Sequence, residues 1–351
     1  MIDISVLAAR PHRQIAIWLF CLCGFIALVV LVGGMTRLTD SGLSITEWKP
    51  VTGMLPPFSP EAWQQEFTKY QQIPEYKLIK SDMTLAAFKS IYWWEWGHRL
   101  LARMAGLVFL TPFVYFWAAK KLGRAELPKF VLLFVLGGAQ GALGWYMVKS
   151  GLSVRVDVSQ YRLAAHLGLA FLVYGYSLWM GLGYWRGQSG GAASPGWLRA
   201  GSVALCAMVF LQILLGALVA GLDAGLTYNS WPLMDGYWAP PGLTQLSPLY
   251  LNLFENITLV QFDHRTAAAL IVTLTAALWW GGRHATNMRS ALSIMLGIVA
   301  LQFSLGVWTL LEVAPLGLAV AHQMGALISF STALWLAHSV WRPAPVATDS
   351  H

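Results

Sequence analysis

The stretch IYWWEWGHRL, residues 91–100, places Glu95, His98 and Arg99 at the beginning of an apolar run. That run continues over residues 99–118, and a helix needs roughly 20 apolar residues to cross a bilayer. Ionisable side chains are costly to bury at such a position, so they indicate a functional site. The stretch therefore predicts a membrane helix that carries a site at one end.

The composition of the whole chain agrees with a membrane protein. Hydrophobic residues make up 57% and charged residues 11% of the 351 residues, which is too apolar for a water-soluble fold. Apolar runs of spanning length lie at 15–35, 99–118, 130–149, 163–184, 199–220, 266–281, 291–310 and 316–340. We predict an all-α integral membrane protein with about eight transmembrane helices.

The basic residues predict the orientation of these helices. Short loops rich in Lys and Arg face the cytoplasm, which puts both chain termini on that side. These residues are Lys120, Lys121, Arg124, Lys129, Arg186, Arg199, Arg283 and Arg289. The two long loops, residues 36–92 and 221–263, would then face the periplasm of a bacterial inner membrane. The net charge of +7 is explained by this topology, and we expect no nucleic-acid partner.

An internal repeat gives the domain organisation. Four landmarks recur in the same order: DSGLS at 40–44 with DAGLT at 223–227, WGHR at 96–99 with FDHR at 262–265, QGALG at 140–144 with QFSLG at 302–306, and AH at 165–166 with AH at 321–322. We predict two tandem four-helix units, residues 1–185 and 186–351, related by a pseudo-twofold axis along the membrane normal. The Gln-x-x-x-Gly elements at Gln140, Gln212 and Gln302 are attributed to helix packing.

The repeat marks four of the eight histidines. His98 and His166 begin the second and fourth apolar helices of the first unit, and His264 and His322 do so in the second. Two histidines at equal depth in one bundle can face each other, as the axial ligands of a heme iron do. A lone membrane histidine more often packs or donates a hydrogen bond, but recurrence at matched positions favours heme ligation.

The two units differ at one position near these histidines. Glu95 lies one helical turn before His98, whereas Gln261 holds the matching position before His264. A carboxylate can act as an acid, a base or an electrostatic stabiliser, and an amide cannot exchange a proton near neutral pH. We therefore expect chemistry in the first unit and a permanent electron-transfer heme in the second. The alternative for Glu95 is an ion pair with Arg99 or Arg103.

These motifs resemble the heme A synthase family of alphaproteobacteria and mitochondria. The resemblance rests on Glu95-x-x-His98-Arg99, the loop TDSGLSITEWKPVTGMLPP at 39–57, NSWPLMDG at 229–236, FDHR at 262–265 and AHQMGAL at 321–327, and it extends over about residues 15–340. Some bacterial relatives carry a cysteine pair in an outer loop. This chain has none there, so a thiol mechanism is not expected.

The resemblance implies an oxidoreductase that acts on a CH or CH2 group. Its substrate would be heme O, whose C8 methyl group is oxidised to a formyl group by successive hydroxylations and loss of water. It also implies a heme b cofactor on His264 and His322, the substrate heme on His98 and His166, and catalysis by Glu95. The product, heme A, serves cytochrome oxidase, so heme O synthase and oxidase assembly factors are candidate partners.

Other groups complete the expected site. The heme propionates need cationic partners, for which the candidates are Arg37, Arg99, Arg103, Arg162 and Arg265. The chain has no nucleotide or flavin motif, so we expect an external electron donor.

Two other functions fit four repeated histidines. One is a non-catalytic diheme b-type cytochrome that carries electrons from quinol, and the other is a heme transporter or chaperone. Neither explains why Glu95 is matched by Gln261.

Overall fold

The computed structural model describes residues 4–49, 52–153, 156–187, 194–284 and 288–341, so both predicted cytoplasmic termini and residues 50–51 of the first long loop lie outside it. Helices dominate the described chain. They are α1 (Ile4–Leu38), α2 (Pro60–Tyr70), α3 (Pro74–Leu78), α4 (Leu85–Ala118), α5 (Leu127–Lys149), α6 (Gln160–Arg186), α7 (Gly196–Gly221), α8 (Asn252–Glu255), α9 (Ile257–Gly282), α10 (Arg289–Leu311) and α11 (Leu316–Val340). The predicted all-α class is confirmed.

Among the described residues, seven helices are long and apolar enough to cross a membrane. They are α1, α4, α5, α6, α7, α10 and α11, so the chain is a multi-pass membrane protein. Helix α9, which contains the predicted span 266–281, has 26 residues but is not one of the seven. Its first turns carry Asp263, His264 and Arg265, and these polar groups reduce its mean hydropathy. The count of eight spans therefore stays a prediction.

Helix α4 begins well before its apolar run. It starts at Leu85, where the side chain of Thr84 accepts a hydrogen bond from the main-chain N–H of Ala87 and caps the helix. The stretch IYWWEWGHRL is consequently helical, and the first long loop ends about two turns earlier than predicted. Apolar composition marks only the segment that lipid can cover, whereas the aromatic turns before it are stabilised by protein contacts.

The chain divides into two compact units, Gly24–Val173 and Met1–Cys23 with Tyr174–His351. The first contains His98 and His166, and the second contains His264 and His322. In the second unit, α7 packs against α9 and α11, and α10 packs against the same two helices, which closes a four-helix ring. The predicted boundary between residues 185 and 186 stays a prediction, as does the pseudo-twofold axis.

Part of the first long loop folds into an aromatic cap. We define the cap as α2 and α3 together with the first turns of α4. Trp63 and Phe67 from α2 and Tyr70 at its end pack against Phe88 and Tyr92 of α4, all buried in one cluster. Aromatic side chains bury large apolar areas, so this packing holds α2 against the first turns of α4.

One carboxylate is buried inside the cap. Glu75 accepts a hydrogen bond from the hydroxyl of Tyr70 (3.2 Å) and pairs with Lys80 (2.8 Å). Burial raises the pKa of Glu75, although the lysine opposes that shift. Lys80 also donates to the main-chain oxygen of Asp40 (2.9 Å), so this ion pair ties α3 to the end of α1.

The cap gives a stability prediction. Phe88 is fully buried, whereas Phe58 in the same loop is 77% exposed. Phe88→Ala should destabilise the cap by about 3–5 kcal/mol because it leaves a cavity among Phe67, Tyr70 and Tyr92. Limited proteolysis should then cut residues 59–80 faster in Phe88→Ala than in wild type or in the matched control Phe58→Ala. Equal cleavage of the three proteins would show that the cap does not depend on this packing.

Candidate functional site

Each of the four predicted histidines lies against a glycine of another helix. A Cβ on that glycine would fall 2.8 Å from the His98 ring at Gly33, 2.9 Å from His166 at Gly144, 3.2 Å from His264 at Gly216 and 2.7 Å from His322 at Gly306. Three of these distances are shorter than a Cβ contact allows. The imidazoles therefore pack directly on the backbone of a neighbouring helix, as small residues permit.

Three of these glycines belong to the Gln-x-x-x-Gly elements. Residues four apart share a helix face, so Gln140, Gln212 and Gln302 reach the same histidines as the glycines. Each carboxamide nitrogen lies within hydrogen-bond distance of Nδ1 of its histidine, at 3.2, 3.1 and 3.2 Å. The attribution of these elements to packing alone was incomplete. The signal available in the sequence was the recurrence of the same Gln-x-x-x-Gly spacing in three helices.

The two histidines of the second unit approach one another. The ring centroids of His264 and His322 are 6.5 Å apart, with an interplanar angle of 76°. Among the described residues, no group of three or more His, Cys, Asp or Glu side chains could hold a metal ion. Two facing imidazoles can supply the two axial ligands of a heme iron.

Glu95 is 2% exposed and accepts four hydrogen bonds. Its Oε2 accepts from the Ser44 hydroxyl and from the main-chain N–H of Ile45, both at 2.7 Å. Its Oε1 accepts from Nε and Nη2 of Arg99, at 3.0 and 2.6 Å. The ion pair with Arg99 that we named as the alternative is therefore present. Four donors around two oxygens suit a carboxylate anion.

The second unit repeats this contact with an amide in place of the carboxylate. Gln261, also 2% exposed, donates from Nε2 to the main-chain oxygens of Ala224 (2.8 Å) and Thr227 (2.6 Å). Arg265 donates to Gln261 Oε1 and to the carbonyls of Tyr228 and Ser230. Glu95 thus accepts from its loop, whereas Gln261 donates to its loop.

Three of the five arginines predicted to bind propionates donate to loop carbonyls. Of the other two, Arg37 pairs with Asp40 (3.2 Å) and Arg162 donates to the main-chain oxygen of Tyr146 in α5 (2.7 Å). Arg99 donates to Ile45 and Glu47, two residues apart, as Arg265 does to Tyr228 and Ser230. Arg103 donates to the carbonyl of Lys49 at 3.0 Å. Their contact with propionates stays a prediction.

Charge around the first loop is balanced locally. Hydrogen bonds from Lys49 and Lys69 to the Glu47 carboxylate, 2.7 Å each, lower the pKa of Glu47.

Asp40 and Asp223, at matched positions of the two loops, both have a left-handed backbone, with φ of 47° and 51°. Aspartate tolerates that conformation better than most residues, which explains how both helices can turn sharply into their loops.

Together, the fold and the site define a multi-pass helical membrane protein with two similar histidine pairs, each in its own unit. The chain belongs to the cytochrome oxidase assembly protein family, whose model matches residues 16–334.

Curated relatives cover nearly the full chain. It is 49% identical to heme A synthase of Parvibaculum lavamentivorans over 93% of this chain and 94% of the relative. It is 48% identical to heme A synthase of Nitrosospira multiformis over 94% of both chains. It is 46% identical to heme A synthase of Paracoccus denitrificans over 98% of this chain and 91% of the relative.

Proposed function

We propose that this protein is a heme A synthase, an enzyme that acts on heme O and supports cytochrome oxidase assembly. The observation that carries the proposal is the pair of histidine sites, which occurs in a chain similar over nearly its whole length to proteins of that name. The Glu95 and Gln261 difference supports chemistry in one unit only. A diheme cytochrome with two equivalent sites gives no reason for that difference.

The residues of the second unit fit a heme. An imidazole nitrogen binds a transition metal at about 2 Å, as it does zinc, so the 6.5 Å between the His264 and His322 centroids leaves room for one iron. Because Gly216 and Gly306 have no Cβ, the two rings can lie directly against the backbone of the neighbouring helices. We assign heme b to His264 and His322. When bound, it would supply one-electron transfer.

In the first unit we assign the iron of the substrate heme to His98 and His166. Glu95 keeps the 44–45 segment of the loop closed against α4 through Ser44 and Ile45. Arg99 fastens the same segment from the other side through the Ile45 carbonyl. The loop thereby excludes water near His98, and the Glu95 carboxylate supplies negative charge one turn from the iron ligand.

The proposed reaction converts the C8 methyl group of heme O into a formyl group through two hydroxylations and the loss of water. That conversion removes four electrons from the carbon, which makes the enzyme an oxidoreductase acting on a CH or CH2 group. With O2 as the oxidant, each hydroxylation would place one oxygen atom on the carbon and release the other as water, using two electrons from an external donor. With water as the oxygen source, the four electrons would instead pass to an external acceptor. Arg99, Arg103 and Arg265 are our candidates to contact the propionates.

We propose a location in the bacterial inner membrane, with both termini cytoplasmic and both heme sites toward the periplasm. Heme O carries a farnesyl chain and is soluble in lipid, so it can enter a helical unit from the bilayer. Heme O synthase and cytochrome oxidase assembly factors are the proposed partners for substrate delivery and product removal.

The test is the heme content of the purified protein. Wild type made in cells that produce heme O should yield heme b together with heme A or its hydroxylated intermediate, after acid-acetone extraction and chromatography. The same protein from cells without heme O should yield heme b alone. Two hemes b per chain in both preparations would make it a diheme cytochrome. Loss of all heme on washing would make it a transporter.

A further inference from the structure

We propose that Gln140, Gln212 and Gln302 are positioning residues for the heme iron ligands, and that His98, which has no such glutamine, is the ligand that releases substrate heme. The inference rests on the proposed function for the identity of the hemes. The geometry that carries it is independent of which reaction follows.

The three glutamines make the same two contacts. Each carboxamide nitrogen donates to the main-chain oxygen of its histidine, at 3.1 Å for His166 and 2.9 Å for both His264 and His322. The same nitrogen lies 3.1–3.2 Å from Nδ1 of that ring. For His166 and His264 it also lies 3.4 and 3.3 Å from Nε2, so there the carboxamide is close to both ring nitrogens. The carboxamide therefore sits beside both the backbone and the imidazole of one residue, which sets the ring orientation.

The other atom of each carboxamide is unsatisfied. Oε1 of Gln140, Gln212 and Gln302 is buried without a hydrogen-bond partner, and such groups are unfavourable unless a partner arrives. When Nε2 of a histidine binds iron, Nδ1 carries the ring proton and needs an acceptor. Iron binding would then require the ring or the carboxamide to rotate until Nδ1–H reaches Oε1, while the carboxamide nitrogen keeps the main-chain bond. Iron binding would thus give the buried Oε1 a hydrogen-bond partner that it otherwise lacks.

His98 differs from the other three. Its facing glycine is Gly33, and the residue four positions earlier, where the other helices have glutamine, is Val29. A valine side chain can neither donate nor accept a hydrogen bond. Partners of this kind typically change metal affinity by about 10–100-fold, so we expect the iron bond of His98 to be the weakest of the four.

This difference agrees with the separate roles that we propose for the two units. The unit with His264 and His322 has two supported ligands, as a permanent cofactor requires. The unit with His98 and His166 has one, as a substrate that must leave after reaction requires. The pattern agrees with the Glu95 and Gln261 difference but comes from other residues.

The first test compares Gln302→Glu and Gln302→Leu in the purified, heme-loaded protein. A carboxylate accepts the Nδ1–H more strongly and makes the imidazole more electron-rich, which should lower the midpoint potential of the heme held by His322. Leucine removes the acceptor and should raise that potential. Ser304→Leu, a polar-to-leucine change on the exposed side of α10, is the control and should leave it unchanged.

Packing alone would not shift the two potentials in opposite directions. Unchanged potentials, or shifts of the same sign, in both Gln302 variants would overturn the assignment. If Gln302→Leu loses heme b, the sign of the shift in Gln302→Glu decides, and a potential that is unchanged or raised in that variant would overturn the assignment. Neither midpoint potentials nor heme retention requires the formation of heme A. This test can therefore fail even if the protein is a heme A synthase, and succeed even if it is not.

The second test addresses His98. Val29→Gln should slow transfer of heme O from the protein to excess apomyoglobin by about 10–100-fold, and Gln140→Leu should accelerate it, because each changes one ligand's support. A transfer rate unaffected by both substitutions would overturn the assignment of His98 as the releasing ligand. Should Val29→Gln fail to fold, the shorter Val29→Asn takes its place, and an unchanged transfer rate in that variant would overturn the assignment of His98.

Discussion

Glu95→Gln should reduce formation of heme A by on the order of 10²-fold to 10⁴-fold, the range typical for loss of a positioned acid–base group. The purified variant should hold heme O or a stalled hydroxylated intermediate beside heme b. The reason is that the matched positions 95 and 261 differ in charge, since Glu95 carries a carboxylate and Gln261 carries a neutral amide. The measurement is acid-acetone extraction with chromatography, performed on wild type and variant in parallel.

The structure also gives Glu95→Gln a structural effect. All four groups that contact the Glu95 carboxylate donate hydrogen bonds to it. A glutamine side chain has only one oxygen that can accept such bonds, and its NH2 group can only donate. The NH2 group would face either Arg99 or the Ile45 N–H, and an unsatisfied buried donor costs about 1–3 kcal/mol. Part of the lost activity would then come from a loosened loop.

Two control variants separate these effects. Ser44→Ala removes one donor to Glu95 but keeps the carboxylate, so it reports the cost of loosening the loop. Glu47→Gln makes the same chemical change at an exposed carboxylate, whose side chain is 43% accessible. If Ser44→Ala lowers heme A formation as strongly as Glu95→Gln, Glu95 acts through the loop. Normal heme A content in Glu95→Gln would refute both roles.

The repeat explains why the four histidines could be singled out from the sequence, because a landmark that recurs in order is preserved by the same local geometry in both units. The structure places each of them against a helix glycine, and their role as iron ligands stays a prediction. The alternative ion pair of Glu95 with Arg99 followed from their i, i+4 spacing and is present. What the spacing could not give was the role of Ser44 and Ile45, since contacts between a loop and a helix 50 residues away depend on how the loop folds.

Other features escaped the sequence for physical reasons. Apolar runs locate lipid-covered segments, so the polar first turns of α9 and the aromatic first turns of α4 fell outside the predicted spans. Gln140, Gln212 and Gln302 looked like packing elements because a glutamine has no fixed partner until the neighbouring helix is placed. The cap was hidden because its aromatic residues are spread over about 30 residues of an irregular segment.

Histidine substitutions should have the largest effect on heme content, and the heme that is lost should differ between the two units. His264→Gly or His322→Gly should remove the permanent heme b, since each leaves the iron with one protein ligand, and should abolish heme A formation. His98→Gly should keep heme b near wild-type content while losing heme O and heme A. His338→Gly is the control, because its ring packs on Trp179 and bonds Arg186 in the same unit as His264.

Added imidazole distinguishes a lost ligand from a misfolded unit. A glycine in place of His264 leaves a cavity that free imidazole can fill, so a low-spin heme spectrum should return on addition. The same treatment should restore heme O binding to His98→Gly. Loss of heme b from His98→Gly, with heme b retained by His264→Gly, would reverse our assignment of the units. Loss of one of two equal hemes from either variant would identify an electron-carrying cytochrome, because only a synthase needs one exchangeable site and one permanent site.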